Sequence, residues 1–424
     1  MKIAIPSYNR AEKLSKKTYK LLIDNGVPET DIIVFVANEE QKELYKQFLP
    51  NTEIVVGVLG MCGIRNFMTD YFDEDAIVCY IDDDIDKFKI KDEKTFLQVL
   101  SESQTFLENN NCGIVGFPPT FNEFYNKGKG IRSGNLCCMG GLYVCKNDKN
   151  IRVSNPTLED KERTLLYYDK YGMTARNCDL ILRAEIFTDG GVNDADGRDY
   201  EKYYQGHSQL FYKYHNYLGF TEKVIPYISK EKIPHFKFRT FKIKPEITPI
   251  DVLQLPSIHK TFFDPLLKML KEIKLAIKVD EETAKSHNGS FRKNFPRHRA
   301  EIFGAVKLRA VNGGGYSLSR SSIKRPEIYE ELKRIGDIIV PFKYSSILVN
   351  NNTICGKHLD ASNVGASCIV SIGDYEGCKL NVKGKDYDTK YTPIIIDGAK
   401  LEHYTTDDLV GEKYSLVYYY LTDL

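Results

Sequence analysis

Short apolar runs alternate with longer amphipathic ones through the first half of the chain. "KIAIP" reads as a buried strand and is followed by a helical pattern from Arg10 to about Asn25. "DIIVFVA" is a second strand, ahead of a helical "EEQKELYKQFL". "EIVVGV", a helix around "GIRNFMTDYF" and the strand "AIVCYID" repeat the alternation. Strands and helices at this spacing build a mostly parallel sheet with helices on both faces. Ligands bind such sheets outside the carboxyl ends of the strands. Pro6–Arg10, Val58–Arg65 and Asp82–Asp84 all fall at such ends, so they are expected to converge on one crevice.

The pattern changes after residue 245. Residues 246–284 form a connector with prolines and an amphipathic helix, "FFDPLLKMLKEIKLAI". From 285 onward short strands follow turn signals: "YSSILVNNN", "ASCIVSIG", "CKLNVKG", "YTPIIIDG", "KYSLVYYYL". Strands this short and regular predict an antiparallel jelly roll. The expected architecture is therefore an N-terminal Rossmann-type α/β domain (1–245), a helical connector (246–284) and a C-terminal double-stranded β-helix, mainly β (285–424). No internal repeat is visible.

Composition narrows the class without naming a partner. The 424 residues are 42% hydrophobic and 28% charged, as in soluble globular proteins, and two or three domains suit that length. A net charge of +1 leaves any polyanion-binding surface to local patches. "MKIAIPSYNR" turns polar after five residues, and no apolar run approaches the ~20 needed to cross a bilayer. Ten cysteines lack metal-ligand or secreted-scaffold spacing. A cytoplasmic or nuclear protein with reduced thiols, neither secreted nor membrane-bound, is expected.

"IVCYIDDDIDKF" (77–88) runs an apolar strand into three adjacent carboxylates. Such a cluster is either a solvated acidic turn or a clamp for a hard cation, since Mg²⁺ and Mn²⁺ take carboxylate oxygens and keep positions for phosphate. With "IPSYNR" at the first strand end and Arg65–Asn66, the segment resembles GT-A glycosyltransferases. The nearer resemblance is to the glycosyltransferases associated with TET/JBP-type oxygenases, over roughly residues 1–240. It implies a GT-A-like fold and a nucleotide-sugar donor, a UDP-sugar. Asp82 would then lie near the ribose or base, Asp84 on Mn²⁺ or Mg²⁺, and Arg10 and Arg65 toward the nucleotide or its phosphates. An inverting transfer needs a base. "ARNCDLILRAEI" resembles the acidic segment of inverting GT-A enzymes and offers Asp179, although Arg176 and Asn177 replace the expected acidic pair. Asp179 is equally readable as a helix N-cap. Asp194, Asp196 and Asp199 are alternatives, and His207 and His235 are either further metal ligands or structural.

A second chemistry stands in the C-terminal third. In "GKHLDASN", His358 and Asp360 are two apart on an expected strand and so share a face. His403 follows in "KLEHYTT". Two histidines and one carboxylate make the facial triad of a non-haem Fe(II) site, whose open positions suit a 2-oxo acid and dioxygen. In "GEKYSLVYYY", Lys413 and Ser415 share one face of the last strand, where a cation and a hydroxyl suit the far carboxylate of 2-oxoglutarate.

The stretch "SSILVNNNTICGKHLDASNVGASCIVSIGDYEGCKLNV" resembles the TET/JBP 2-oxoglutarate/Fe(II) oxygenases, which hydroxylate the methyl group of thymine or 5-methylcytosine. The strand carrying Asn350 and Asn352, the HxDxxN with Asn363, and the "GDYEG" turn carry the likeness; Asn350 is implied in cofactor binding. Two positions depart from the pattern. Lys413 replaces an arginine, keeping the charge but losing the bidentate fork, and Cys378 stands where a second glycine is usual.

The two halves make one coherent pathway, because hydroxylation creates the hydroxyl that a glycosyltransferase needs. The expected partner is DNA with a flipped or single-stranded pyrimidine, modified to a base-J-like product. "SKEKIPHFKFRTFKIK" (229–244) and "FRKNFPRHR" (291–299) are either phosphate-contacting, base-stacking segments or solvated faces. Two other readings stay open: hydroxylation and glycosylation of protein lysine, and a nucleic-acid-binding protein with one inactive domain.

Overall fold

The computed structural model describes residues 1–119, 121, 128–134, 138, 141–184, 199–225, 230, 232–238, 250–278, 298–308 and 314–423. They form two compact units, the first essentially Met1–Asp199 and the second Tyr200–Asn216, Phe220–Phe236 and Ile247–Leu424. The helix Tyr200–Tyr214 thus belongs to the second unit, ahead of the boundary expected at 245. Its residue Tyr204 is fully buried and donates its hydroxyl to the Pro256 carbonyl of that unit, 2.5 Å away. No helix among the described residues is long and apolar enough to cross a membrane.

The first unit is built on β1 (Ile3–Pro6), β2 (Ile32–Val36), β3 (Glu53–Val56) and β4 (Ile77–Ile81). β5 (Ile85–Ile90) leaves this sheet, which continues through β6 (Ile114–Gly116), β7 (Ile131–Gly134), β8 (Leu142–Lys146) and β9 (Thr174–Asn177). The order is β3-β2-β1-β4-β8-β6-β9-β7, parallel from β3 to β4 and mixed beyond. Alternate residues feed two cores. Ile3, Ile5, Val34, Val36, Cys79 and Ile81 enter one face, and Ala4, Ile33, Phe35, Val78 and Tyr80 the other. This is the burial that near-continuous apolar runs imply for a sheet covered on both sides. The chain moves outward from β1 to β3 and crosses back to β4, so the order reverses between β1 and β4. That reversal is where a doubly wound sheet opens a crevice. β10 (Leu180–Ala184) pairs antiparallel with β5 away from the main sheet.

β11 (Leu218–Val224) and β12 (Lys232–Phe238) pair with each other. The second unit then adds β13 (Val252–Gln254), β14 (Ile277–Lys278), β15 (His298–Lys307), β16 (Tyr316–Leu318) and β17 (Ser346–Asn351). Next come β18 (Ser367–Glu376), β19 (Leu380–Val382), β20 (Lys385–Tyr387), β21 (Ile394–Ile396), β22 (His403–Thr405) and β23 (Val410–Tyr419). A large sheet, β13-β21-β18-β23-β17-β15-β14 with β16 on β15, stands with a small one, β20-β19-β22. Ile369, Leu380, Val382, Ile394, Ile396 and Leu401 form an apolar cluster drawn from both. The architecture is an α/β unit joined to a double-stranded β-helix, as the hydrophobic pattern predicts. The outward face of β23 packs on helices: Tyr418 donates to the Leu332 carbonyl and Tyr414 to that of Leu270. Its inward face, Lys413, Ser415 and Val417, is left for the site.

Two candidate active sites

In the first unit β1 and β4 deliver their ends side by side, and the aspartate triplet is the tight connection from β4 to β5. The helix after β1 carries a π turn at Ser15–Tyr19. Its fully buried Thr18 donates its hydroxyl to the Asp82 carbonyl at 2.8 Å and accepts the Ile85 N–H at 2.9 Å. A π turn at such a place is a recurring feature of functional sites. Here it grips both ends of the acidic turn.

The three carboxylates are not equivalent. Asp83 is buried, accepts the Ser7 hydroxyl at 2.5 Å and pairs with Arg10 at 2.9 Å. Tyr45 accepts the Arg10 N–H at 3.0 Å and lies 2.7 Å from Ser7 Oγ, completing a buried hydroxyl chain. Burial raises the Asp83 pKa against the opposing pull of Arg10 and Ser7. Asp84 stays reachable and also receives Arg10, at 3.3 Å. Burial first, then repulsion by Asp82 and Asp83, pushes its pKa up to about 7 despite Arg10 and Lys13. Asp82 is the most exposed of the three and is held by Arg65 Nη2 at 2.7 Å. Arg10 and Arg65 therefore position the carboxylates of the triplet.

Arg65 is buried and reaches a second acid, Glu159, at 3.5 Å. Glu159 opens the helix Glu159–Tyr171 and also pairs with Arg163 at 2.5 Å, whose guanidinium lies 3.7 Å from the Tyr143 ring centroid. The next residue, Asp160, is half-buried and accepts its neighbour's N–H, Lys161, at 2.8 Å. Glu159-Asp160 is an acidic pair at a helix start, tied through Arg65 to Asp82. The signal was present in "TLEDKER".

Asp179 occupies a different place. It is neither a helix cap nor near the triplet, because it precedes β10, whose Leu180 pairs with Ile90 while Ala184 pairs with Ile85. The length of β5 separates it from Asp84, on the order of 20 Å at about 3.3 Å per residue. It accepts Lys94 at 2.8 Å and the Gly130 N–H at 2.7 Å. Burial opposes its charge, but Lys94 and Gly130 outweigh that and lower its pKa. These contacts make it a buried anchor. Asp194 and Asp196 lie outside the described residues, and Asp199 is exposed at the end of the first unit. His207 and His235 belong to the second unit. His207 is a buried helix residue whose Nδ1 meets the Tyr203 carbonyl at 2.8 Å.

In the second unit His358, Asp360 and His403 come together, with one ligand atom of each within 4.8 Å of the others. Reciprocal backbone bonds between His358 and His403, both 3.1 Å, set the two side by side. Asp360 N–H donates to the Gly398 carbonyl at 2.8 Å. His358 Nδ1 faces the Gly356 carbonyl and His403 Nδ1 the Leu401 carbonyl, each at 2.8 Å. A carbonyl can only accept, so both Nδ1 atoms carry the proton and the lone pairs lie on Nε2. Those Nε2 atoms are 3.8 and 3.6 Å from Asp360 oxygens. Burial opposes charge on His403, but Asp360 and the Leu401 carbonyl raise its pKa on balance. The donor set fits a divalent transition metal.

Lys413 is 2% exposed and faces the interior of the β-helix. Among the described residues no carboxylate pairs with it; its ammonium donates to the Cys378 carbonyl at 2.5 Å. Beside it Ser415 Oγ lies 3.1 Å from Ser371 Oγ, which lies 2.9 Å from Thr389 Oγ1. Asn350 pairs with Ser415 across the strands and is buried, with no side-chain hydrogen bond among the described residues. A buried cation ringed by hydroxyls and an amide suits an anion. Lys413 and Ser415 lie on β23, Asn350 on β17 and His403 on β22, whereas His358 joins His403 only through an isolated bridge and Asp360 lies outside any strand, so the shared strand expected for that pair does not form.

Neither a family model nor a curated protein matches the sequence. Solved structures do. TarS residues 1–349 from S. aureus aligns with TM-score 0.36 and 15% identity, over 50% of this chain and 65% of that one. NgTET1 in complex with 5mC DNA aligns with TM-score 0.28 and 12% identity, over 41% and 72%. An oxidoreductase of the 2OG-Fe(II) oxygenase family from Burkholderia pseudomallei aligns with TM-score 0.26 and 16% identity, over 40% and 84%. The chain itself joins an α/β unit on a mixed, Rossmann-like sheet to a double-stranded β-helix.

Proposed function

We propose that the chain is a bifunctional DNA-modifying enzyme. It hydroxylates the methyl group of thymine or 5-methylcytosine and then transfers a sugar from a UDP-sugar to the new hydroxyl. The observation that carries the reading is the presence, in one chain, of a two-histidine, one-aspartate cluster and an aspartate triplet at a sheet switch point. The first chemistry makes the acceptor that the second consumes. The choice of a pyrimidine in DNA rests on the TET/JBP-like residues around His358.

In the oxygenase unit His358, Asp360 and His403 would hold Fe(II), which with 2-oxoglutarate and dioxygen supplies oxidation of an unactivated C–H bond. The carbonyls of Gly356 and Leu401 fix both imidazole tautomers, so the ligands are preorganised. Lys413 and Ser415 bind the far carboxylate of 2-oxoglutarate, with the Asn350 amide beside them. The base must be extruded from a duplex or presented on a single strand. The basic stretches 229–244 and 291–299, largely outside the described residues, are the proposed phosphate contacts.

In the transferase unit Asp84 would hold Mn²⁺ or Mg²⁺, which neutralises the leaving diphosphate. Asp82, oriented by Arg65, faces the ribose or base. Asp160 takes the proton of the acceptor hydroxyl. Glu159, committed to two arginines, holds the helix start that carries it.

The test is nucleoside mass spectrometry of DNA from cells expressing the chain. Wild type should yield a glycosylated hydroxymethyl-pyrimidine, Asp84→Ala the bare hydroxymethyl base, and His358→Ala neither. In vitro, with UDP-sugars and hydroxymethyl-pyrimidine DNA, Asp160→Asn should abolish transfer with little change in donor KM. Label on peptide hydroxylysine with none on DNA defeats the nucleic-acid reading.

A further inference from the structure

Lys413 and Cys378, the two positions that depart from the oxygenase pattern, touch one another. The Lys413 ammonium donates to the Cys378 carbonyl at 2.5 Å. Cys378 has φ +49, the left-handed conformation that a glycine would adopt freely, and its N–H donates to Asp408 Oδ1 at 2.8 Å. The turn is thereby fixed with its carbonyl on the ammonium. An ammonium has three N–H donors and no fork geometry. With one N–H on Cys378, its hold on a carboxylate is a point contact.

Tyr375 stands beside the ammonium. It is two residues along β18 from Gly373, the cross-strand partner of Lys413, and so shares the inward face. Lys413 Nζ is 5.2 Å from its ring centroid. The residue is 4% exposed, and its buried hydroxyl has no hydrogen-bond partner within 3.5 Å, the Thr389 and Ser371 hydroxyls lying just beyond. A native buried O–H left unpaired calls for an absent acceptor. Burial, with Asp388 in the same sense and the Thr389 and Ser371 hydroxyls opposed, raises the phenol pKa, so it stays protonated and can donate. The other charged neighbour is Lys390, 5.0 Å from the same ring and donating to the Tyr375 carbonyl at 2.7 Å.

We propose that Tyr375 Oη is the second donor to the far carboxylate of the 2-oxo acid, restoring with Lys413 the two-point hold that one guanidinium would give. The inference rests on the oxygenase reading and extends it to co-substrate selection. It ties both departures together: the Cys378 turn parks the lysine, and the tyrosine supplies the missing hydrogen bond.

The experiment is calorimetric titration of the full chain, loaded with Mn(II), with 2-oxoglutarate and with pyruvate, which lacks the far carboxylate. Wild type should prefer 2-oxoglutarate strongly. Tyr375→Phe should weaken 2-oxoglutarate about tenfold or more, the value of a hydrogen bond to a charged group, and leave pyruvate unchanged. Lys413→Ala should erase the preference. The melting temperature of the ligand-free Tyr375→Phe protein should lie within a few degrees of wild type, because the hydroxyl makes no hydrogen bond shorter than 3.5 Å to lose. Unchanged 2-oxoglutarate binding, or an equal loss for both acids, overturns the assignment to Tyr375. Failure of the wild type to bind either acid overturns the oxygenase reading itself.

Discussion

Replacing Asp179 by alanine separates an anchor from a catalytic base. The carboxylate is 2% exposed and accepts two hydrogen bonds, from Lys94 and from the Gly130 N–H. Each bond to a charged group contributes about 1.5 kcal/mol or a little more. Lys94 is 27% exposed and keeps Glu102, so it is not stranded, and the 3–5 kcal/mol cost of an orphaned buried charge does not apply. The expected loss is therefore about 3 kcal/mol, or roughly 6–12 °C in Tm for a unit of this size. The folded-state pKa of Asp179 is lowered. Its contribution is thus complete above the unfolded carboxylate value, about 3.9, and is lost as pH falls through the lower folded value. Thermal unfolding of the full chain, followed by far-ultraviolet circular dichroism, should give a constant gap between wild type and Asp179→Ala from pH 5 to 8. The gap should shrink below about pH 4. A variant that unfolds like wild type yet has lost glycosyl transfer would refute this reasoning and return Asp179 to the base role.

Asp84 has the opposite sign: its folded pKa is raised to about 7, so its charge opposes folding. Asp84→Asn should be neutral below about pH 4, gain stability as pH rises from there to about 7, and hold a gain of about 4 kcal/mol above it, read from urea unfolding across pH. Mn²⁺ affinity of the wild type, measured by electron paramagnetic resonance, should strengthen as pH rises through 7. Thr18→Val keeps the shape but removes both bonds to the acidic turn, and should cost about 2 kcal/mol in unfolding experiments while weakening Mn²⁺ binding. His358→Ala should abolish stoichiometric Co(II) binding by the second unit, seen as loss of the d–d absorption, and leave UDP-sugar binding intact.

The hydrophobic pattern alone determined the two architectures, because burial on both faces of a parallel sheet and on one face of a barrel strand leaves different periods in the chain. The HxD spacing and a distant histidine singled out the His358–Asp360–His403 cluster, but not its local structure: His358 meets His403 through an isolated bridge, and Asp360 lies in an irregular segment rather than on the expected strand. The roles inside the acidic site were not legible, since three adjacent aspartates are identical in sequence. Only packing distinguishes buried Asp83, pinned by Ser7 and Arg10, from reachable Asp84. Tertiary structure likewise separates Asp179 from the triplet, because β5 and β10 carry it a strand's length away, while Arg65 ties Glu159 to Asp82. It joined Lys413, Cys378 and Tyr375, which lie up to 38 positions apart in the chain. Local pattern fixes what a segment becomes; contacts between distant segments fix which of its groups are desolvated, paired or left to act.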